Sequence, residues 1–137
     1  MIFHRKKQFT FFMLVLVASL FTSACSKSPP RIAVEPTIQE LGEVPQQLIE
    51  LTYTVKNEGE SDLQILKIST SCDCTKAFLD QDRIAGGQSA VLTVTLDPTE
   101  DDLYGDVTRV VYLRSNDPAN PEVSVEFHAV ILKSGEH

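Results

Sequence analysis

The feature that most limits the fold is a period of two. Apolar residues recur at alternate positions in short runs, and each run stops at Gly, Pro, Asn or Asp. That period sends successive side chains to opposite faces of an extended strand. No stretch of the chain after its first segment holds a sustained helical period. Short strands at this spacing, separated by turn residues, predict an all-β fold: two packed antiparallel sheets with about seven strands in all.

The runs can be placed individually. Arg31–Val34 reads as a first short strand stopped by Pro36, and Thr37–Leu41 as a second ended by Gly42. In Gln47–Lys56 the residues Ile49, Leu51, Tyr53 and Val55 share one face. Asn57-Glu58-Gly59-Glu60 is a turn, because Asn and Gly tolerate positive φ. Leu63–Ser71 follows. A regular strand there puts Leu66, Ile68, Thr70, Cys72 and Cys74 on the same side. Ala85-Gly86-Gly87 makes a tight turn into Ser89–Leu96, where Ala90, Leu92, Val94 and Leu96 alternate. Asp97-Pro98 ends that run, and Thr99–Tyr104 is a polar loop. Asp106–Arg114 is broken by Ser115-Asn116-Asp117-Pro118. The last strand, Glu122–Leu132, turns Val123, Val125, Phe127, Ala129 and Ile131 inward. Internal repeats and low-complexity blocks are absent.

The first segment follows a different logic. Arg5, Lys6 and Lys7 precede an uncharged apolar run from Phe9 to Phe21. A bilayer span needs about 20 apolar residues, so this run is too short for one and suits a signal peptide. Thr22, Ser23 and Ala24 are small and lead directly to Cys25. The pattern resembles the bacterial lipobox, in which such a cysteine is acylated and becomes the first residue. The expected division is a signal peptide over 1–24, a lipidated Cys25 with a tether to residue 30, a sandwich over 31–133, and a tail over 134–137. Ser26-Lys27-Ser28-Pro29-Pro30 suits an extended, unpacked tether. Ser26 after the cysteine resembles an outer-membrane sorting signal if the cell is Gram-negative. The expected location is a bacterial membrane, on its periplasmic or cell-surface side.

Charge narrows the partners. Removing the first 24 of 137 residues takes three of 12 basic residues and none of 19 acidic ones. The remaining 113 residues carry nine basic against nineteen acidic groups, a net charge of −10. Binding to nucleic acid needs clusters of Lys and Arg on phosphate, and this balance argues against it. With such a surface, a lipid must hold the chain to an anionic membrane.

The segments Asn57-Glu58-Gly59, Leu63-Gln64-Ile65, Ser71-Cys72-Asp73-Cys74-Thr75 and Ser115-Asn116-Asp117-Pro118, with a Gly-rich turn before Ser89, resemble a bacterial family called domain of unknown function 1573. The resemblance runs roughly from Ile38 to Ile131. Asp73 stands where the family has Gly, and Ala85-Gly86-Gly87-Gln88 replaces a Pro-Gly-Glu turn. The resemblance implies an immunoglobulin-like sandwich related to pilus-chaperone and microtubule-associated domains. Its signature residues here are Ser71, Cys72, Cys74, Thr75, Ser115, Asn116 and Asp117. It implies no activity, and a fold by itself supplies none.

Cys72-Asp73-Cys74 leaves three readings open. The pair can form a structural disulfide or packed thiols, although Cα atoms two apart on a straight strand lie roughly 6.5–7 Å apart, at the limit for a bridge. The loop closed is tiny, so little unfolded-state entropy is removed. Two thiolates also suit a soft metal such as Cu(I), but they are half of a zinc site. A redox pair is the third reading, although C-x-x-C at a helix start is the usual form. His128 reads as a surface residue opposite Val125 and Phe127, and His137 ends the chain. Thr99-Glu100-Asp101-Asp102, with Asp97 and Asp106, offers oxygens for calcium without the spacing of an EF-hand. No nucleophile has a base beside it, and no phosphate loop is present. The expectation is a membrane-tethered, non-enzymatic protein-binding or scaffolding module with no cofactor and an unidentified protein partner. The alternative is copper handling or thiol redox through Cys72 and Cys74.

Overall fold

The computed structural model describes residues 25–135. The signal peptide expected over 1–24 and the terminal His137 lie outside the described residues. Nine strands run in order: β1 Ile32–Glu35, β2 Ile38–Pro45, β3 Ile49–Asn57, β4 Leu63–Thr70, β5 Thr75–Leu79, β6 Arg83–Ile84, β7 Ser89–Leu96, β8 Gly105–Ser115 and β9 Glu122–Leu132. They form a two-sheet β-sandwich. One sheet runs β1-β3-β7-β5 and the other β2-β9-β8-β4-β6.

The alternating residues supply the core. Tyr53, Val55, Leu92, Val94 and Leu96 from one sheet meet Val111, Leu113, Val125, Phe127 and Ile131 from the other, all at most 2% exposed. Burial of this apolar surface is the main driving force for the fold. The Tyr53 hydroxyl donates to the Glu126 carbonyl at 3.2 Å. Burial, reinforced by the Glu126 carboxylate, pushes its phenol up to about 12, so it stays a neutral donor.

The structure corrects the sequence reading in five places. There are nine strands among the described residues, not about seven, because β5 and β6 fill the stretch after Cys74. The sheets are not wholly antiparallel: β2 pairs parallel with β9, from Ile38 opposite Glu126 to Pro45 opposite Leu132. Gly42, at φ 65°, does not end β2; the register shifts between Glu40 and Glu43 and pairing resumes. Leu66 points to solvent and is 61% exposed. A register shift between Ile65 and Lys67 inserts one extra residue, so Leu63 and Ile65 face inward before it. That extra residue breaks the period of two and rotates the rest of the strand. Finally, Ser28–Pro30 do not hang free as a tether but dock on the sandwich at the turn after β3.

The register defines two ends. Asn57 pairs with Ile32, Leu63 with Ile84, and Arg114 with Glu122, which gathers β1, β3, β4, β6, β8 and β9 at one end. Ile49 and Thr75 both pair with Leu96, which gathers the Cys72–Cys74 turn and the loop after Asp97 at the other. The core assignment predicts contrasting truncations. Leu113→Ala should cost about 2–5 kcal/mol in chemical denaturation, and Leu66→Ala less than about 0.5 kcal/mol.

Candidate functional site

The sequence-predicted residues do not converge. The structure divides them between the two ends.

At the Asn57 end, two buried polar side chains grip the incoming chain. Asn57 is fully buried. Its Oδ1 accepts from Arg31 N at 3.2 Å and Gly59 N at 3.0 Å. Its Nδ2 donates to the Ser61 carbonyl at 2.8 Å and the Ile84 carbonyl at 2.9 Å. All four hydrogen-bonding positions of the amide are used. Asp117, 2% exposed, accepts from Ile32 N at 2.9 Å, Ala119 N at 2.8 Å and Asn120 N at 3.1 Å. The first two amides of the incoming strand are thus held by side chains from two distant turns. Burial alone would raise the Asp117 carboxyl, but the three backbone donors, with Arg31 nearby, hold it below the usual range. Asn116 ties the same turns together, accepting from Gln64 N at 2.8 Å and donating to Asp62 O at 3.1 Å. Ser115 is buried and its Oγ accepts from Asp117 N at 3.2 Å.

The chain before Arg31 lies across this platform. The Ser28 carbonyl accepts from Ser61 N at 3.0 Å and Ser61 Oγ at 2.8 Å. Ser28 N donates to Glu60 Oε2 at 2.7 Å, and Glu60 N donates back to Ser28 Oγ at 3.2 Å. The Ser28 donors hold the Glu60 carboxyl below its ordinary value. Gly59 is required by the crossing: a Cβ there would overlap the Pro29 carbonyl and crowd Pro30 Cα. Cys25, three residues before Ser28, is exposed and unpaired.

At the other end β4 stops at Thr70, and residues 71–74 turn. Ser71 exchanges bonds with β8: its N donates to Val110 O at 2.9 Å and its Oγ accepts from Val110 N at 3.0 Å. Thr75 N reaches back to Cys72 O at 3.1 Å, which closes the turn. The bend at Asp73 brings the cysteine Cα atoms to 5.2 Å, and the two sulfurs are joined in a disulfide. Cys74 N donates to Cys72 Sγ at 3.2 Å. Thr75 is buried.

The remaining candidates are dispersed. His128 lies on the outer face with Nδ1 2.9 Å from Glu40 Oε1 and Nε2 3.4 Å from Glu126 Oε1. In the acidic loop, Asp97 accepts from Thr99 Oγ1 at 2.6 Å and its carboxyl is held low by that side chain. No group of three or more His, Cys, Asp or Glu side chains suited to a metal occurs among the described residues. Sequence reasoning missed three features. Asn57 reads from sequence only as a turn residue. Phe78 is 69% exposed on β5. Arg109, opposite buried Phe127, has a buried Nε without a partner.

The sequence model of a family described as "Protein of unknown function (DUF1573)" matches residues 32–131. No curated protein matches the chain. Among solved structures, a protein of unknown function from Porphyromonas gingivalis W83 aligns with a TM-score of 0.69 and 18% identity. It covers 81% of this chain, and this chain spans about half of it, 51%. The ASH/PapD-like domain 7 of human CEP192 aligns at 0.58 with 8% identity, covering 84% of this chain and 94% of its own. The YadV chaperone aligns at 0.54 with 8% identity, covering 77% and 54%. At these identities the likeness extends to the fold alone.

The clamp makes two expectations measurable. Asn57→Ala should destabilise by roughly 1–3 kcal/mol for each buried partner left unpaired. Because the folded-state pKa of Asp117 is lowered, its contribution is complete above the unfolded value near 3.9 and is lost as pH falls through the folded value. Asp117→Asn should therefore flatten the acid limb of an unfolding-midpoint profile below about pH 4.

Proposed function

From the premise that the chain belongs to the family described as "Protein of unknown function (DUF1573)", a description that names no activity, we propose a lipid-tethered, non-enzymatic module that binds another protein. The observation that carries the binding role is the free edge at β5. Among the described residues this strand pairs only with β7 and closes its sheet. An unpaired edge presents a row of backbone donors and acceptors, and proteins normally blunt such edges. Here the edge carries Phe78, 69% exposed, opposite Thr93 and diagonal to Val91, 44% exposed. Lys76 adds positive charge in a strongly acidic chain. An extended segment from a partner can add to such an edge, with the aromatic side chain supplying contact area. The PapD-like likeness supports a scaffold of this type.

The tether is part of the same proposal. Cys25 follows a short apolar run and three small residues, and it is exposed ahead of the docked strap. Acylation there would hold the module on the periplasmic or outer surface of a bacterial membrane.

A second reading keeps Cys72 and Cys74 as a thiol pair that cycles between forms. The supporting contact is the Cys74 N–H on Cys72 Sγ, since a donor at that sulfur would favour its thiolate after reduction. Copper would require the reduced pair, because thiolates are the ligands.

The test is photo-crosslinking in cells with a probe placed along β5, followed by mass spectrometry. A discrete adduct is expected. Phe78→Glu should abolish it while moving the unfolding midpoint little, because an exposed surface change is worth about 0.5 kcal/mol or less. An adduct unaffected by Phe78→Glu would sink the β5 reading.

A further inference from the structure

We infer that the Asn57 end of the sandwich lies against the membrane surface in a fixed, upright stance. The inference rests on the proposed acylation of Cys25 and goes beyond it, because a tether alone sets no orientation. Ser28 is bonded to Glu60 and Ser61 through backbone and side chain. Arg31 and Ile32 are then clamped by Asn57 and Asp117. Only Ser26 and Lys27 separate the lipid-bearing residue from this docked strap. Three residue steps span at most about 11 Å. The platform cannot leave the headgroup layer while the strap stays docked.

The shape and charge of that end suit the position. Pro29, Pro30, Pro118 and Ala119 line a shallow recess of about 270 Å³ there, a small apolar surface among polar turns. Two of its acids are paired: Arg31 stands 3.8 Å from Glu58, and Arg83 3.7 Å from Asp62. Lys27 lies close enough to Glu60 to act on its carboxyl.

The opposite end is different. Asp73, Asp97, Glu100, Asp101 and Asp102 lie in its loops, with Lys76 near Asp97. The long loop is tied down by Gln46, whose Nε2 donates to Asp102 Oδ1 at 3.0 Å and Leu103 O at 3.2 Å. Held away from an anionic bilayer, this end escapes repulsion that would be strong within a Debye length of about 8–10 Å. The strands between the ends, 11 residues in β8 and β9, set a height of roughly 35 Å. The stance therefore presents the β5 edge sideways and the disulfide turn outward.

The experiment uses the full, lipidated chain in vesicles of phosphatidylethanolamine and phosphatidylglycerol that carry a headgroup energy acceptor. A donor fluorophore is introduced by encoded amino acid at Ala119 or at Glu100. Several-fold stronger transfer from position 119 than from position 100 is expected. A Gly-Ser insertion of about ten residues between Lys27 and Ser28, with an r.m.s. span of roughly 17 Å, should erase most of that difference without unfolding the domain. Intact mass decides the tether separately. An acylated chain with equal transfer from both positions overturns the stance and leaves the tether reading standing. A chain lacking acyl groups overturns both.

Discussion

The buried amide of Asn57 is the contact on which the arrangement of this molecule depends. A side chain with two donors and two acceptors is costly to bury unless every position is matched. Here each is matched, and the four partners come from three different segments: Arg31 from the strap, Gly59 and Ser61 from the β3–β4 turn, and Ile84 from β6. The amide therefore sets the relative placement of the incoming strap, the β3–β4 turn and β6. Asp117 adds a second grip on the same strap from the β8–β9 loop. Packing of the two sheets supplies the stability, and this polar pair fixes where the chain enters.

The entry point has functional weight because Cys25 lies just ahead of it. A sandwich carried on a long flexible linker samples many orientations. One gripped three residues after the proposed lipid on Cys25 does not. The charge of the ends works in the same sense, with two ion pairs near the strap and a run of carboxylates in the loop after Asp97. The exposed edge of β5 then runs along the side of the module. The disulfide turn, bonded to β8 through Ser71, closes the distal end of the sheet rather than joining a site with the other signature residues.

Much of the fold was legible in the sequence because the core is built by alternation. Ala90, Leu92, Val94 and Leu96 fall inward as their spacing demands, as do Val125, Phe127, Ala129 and Ile131. The limits of β9 match the expected Glu122–Leu132. The failures share a cause: period-two reasoning sees neither bulges nor partners. One extra residue after Ile65 turns Leu66 outward. Pairing of β2 with β9 in parallel is a choice of neighbour that no local pattern encodes. The run Thr75–Leu79 alternates over too few residues to stand out, and its edge position is a tertiary property. The seven signature residues were visible as motifs, but nothing local showed that Ser71–Thr75 and Ser115–Asp117 lie at opposite ends. Asn57 looked like an ordinary turn residue. Its Asn-x-Gly context was the available signal, since Gly59 both donates to it and leaves room for the Pro29–Pro30 crossing. The tether misled because composition predicts extension, whereas the bonds of Ser28 depend on where the β3–β4 turn happens to lie.

The central claim is that the strap is an integral part of the folded domain. Amide hydrogen exchange on the native protein tests it most directly, because exchange reports the opening free energy of each bonded group. The account predicts that the amides of Arg31 and Ile32 are protected nearly as well as core amides such as that of Val55, and that Asn57→Ala selectively releases that of Arg31, whose acceptor it removes. Exchange at Arg31 and Ile32 as fast as in an unstructured peptide, with the sandwich otherwise protected, would contradict it.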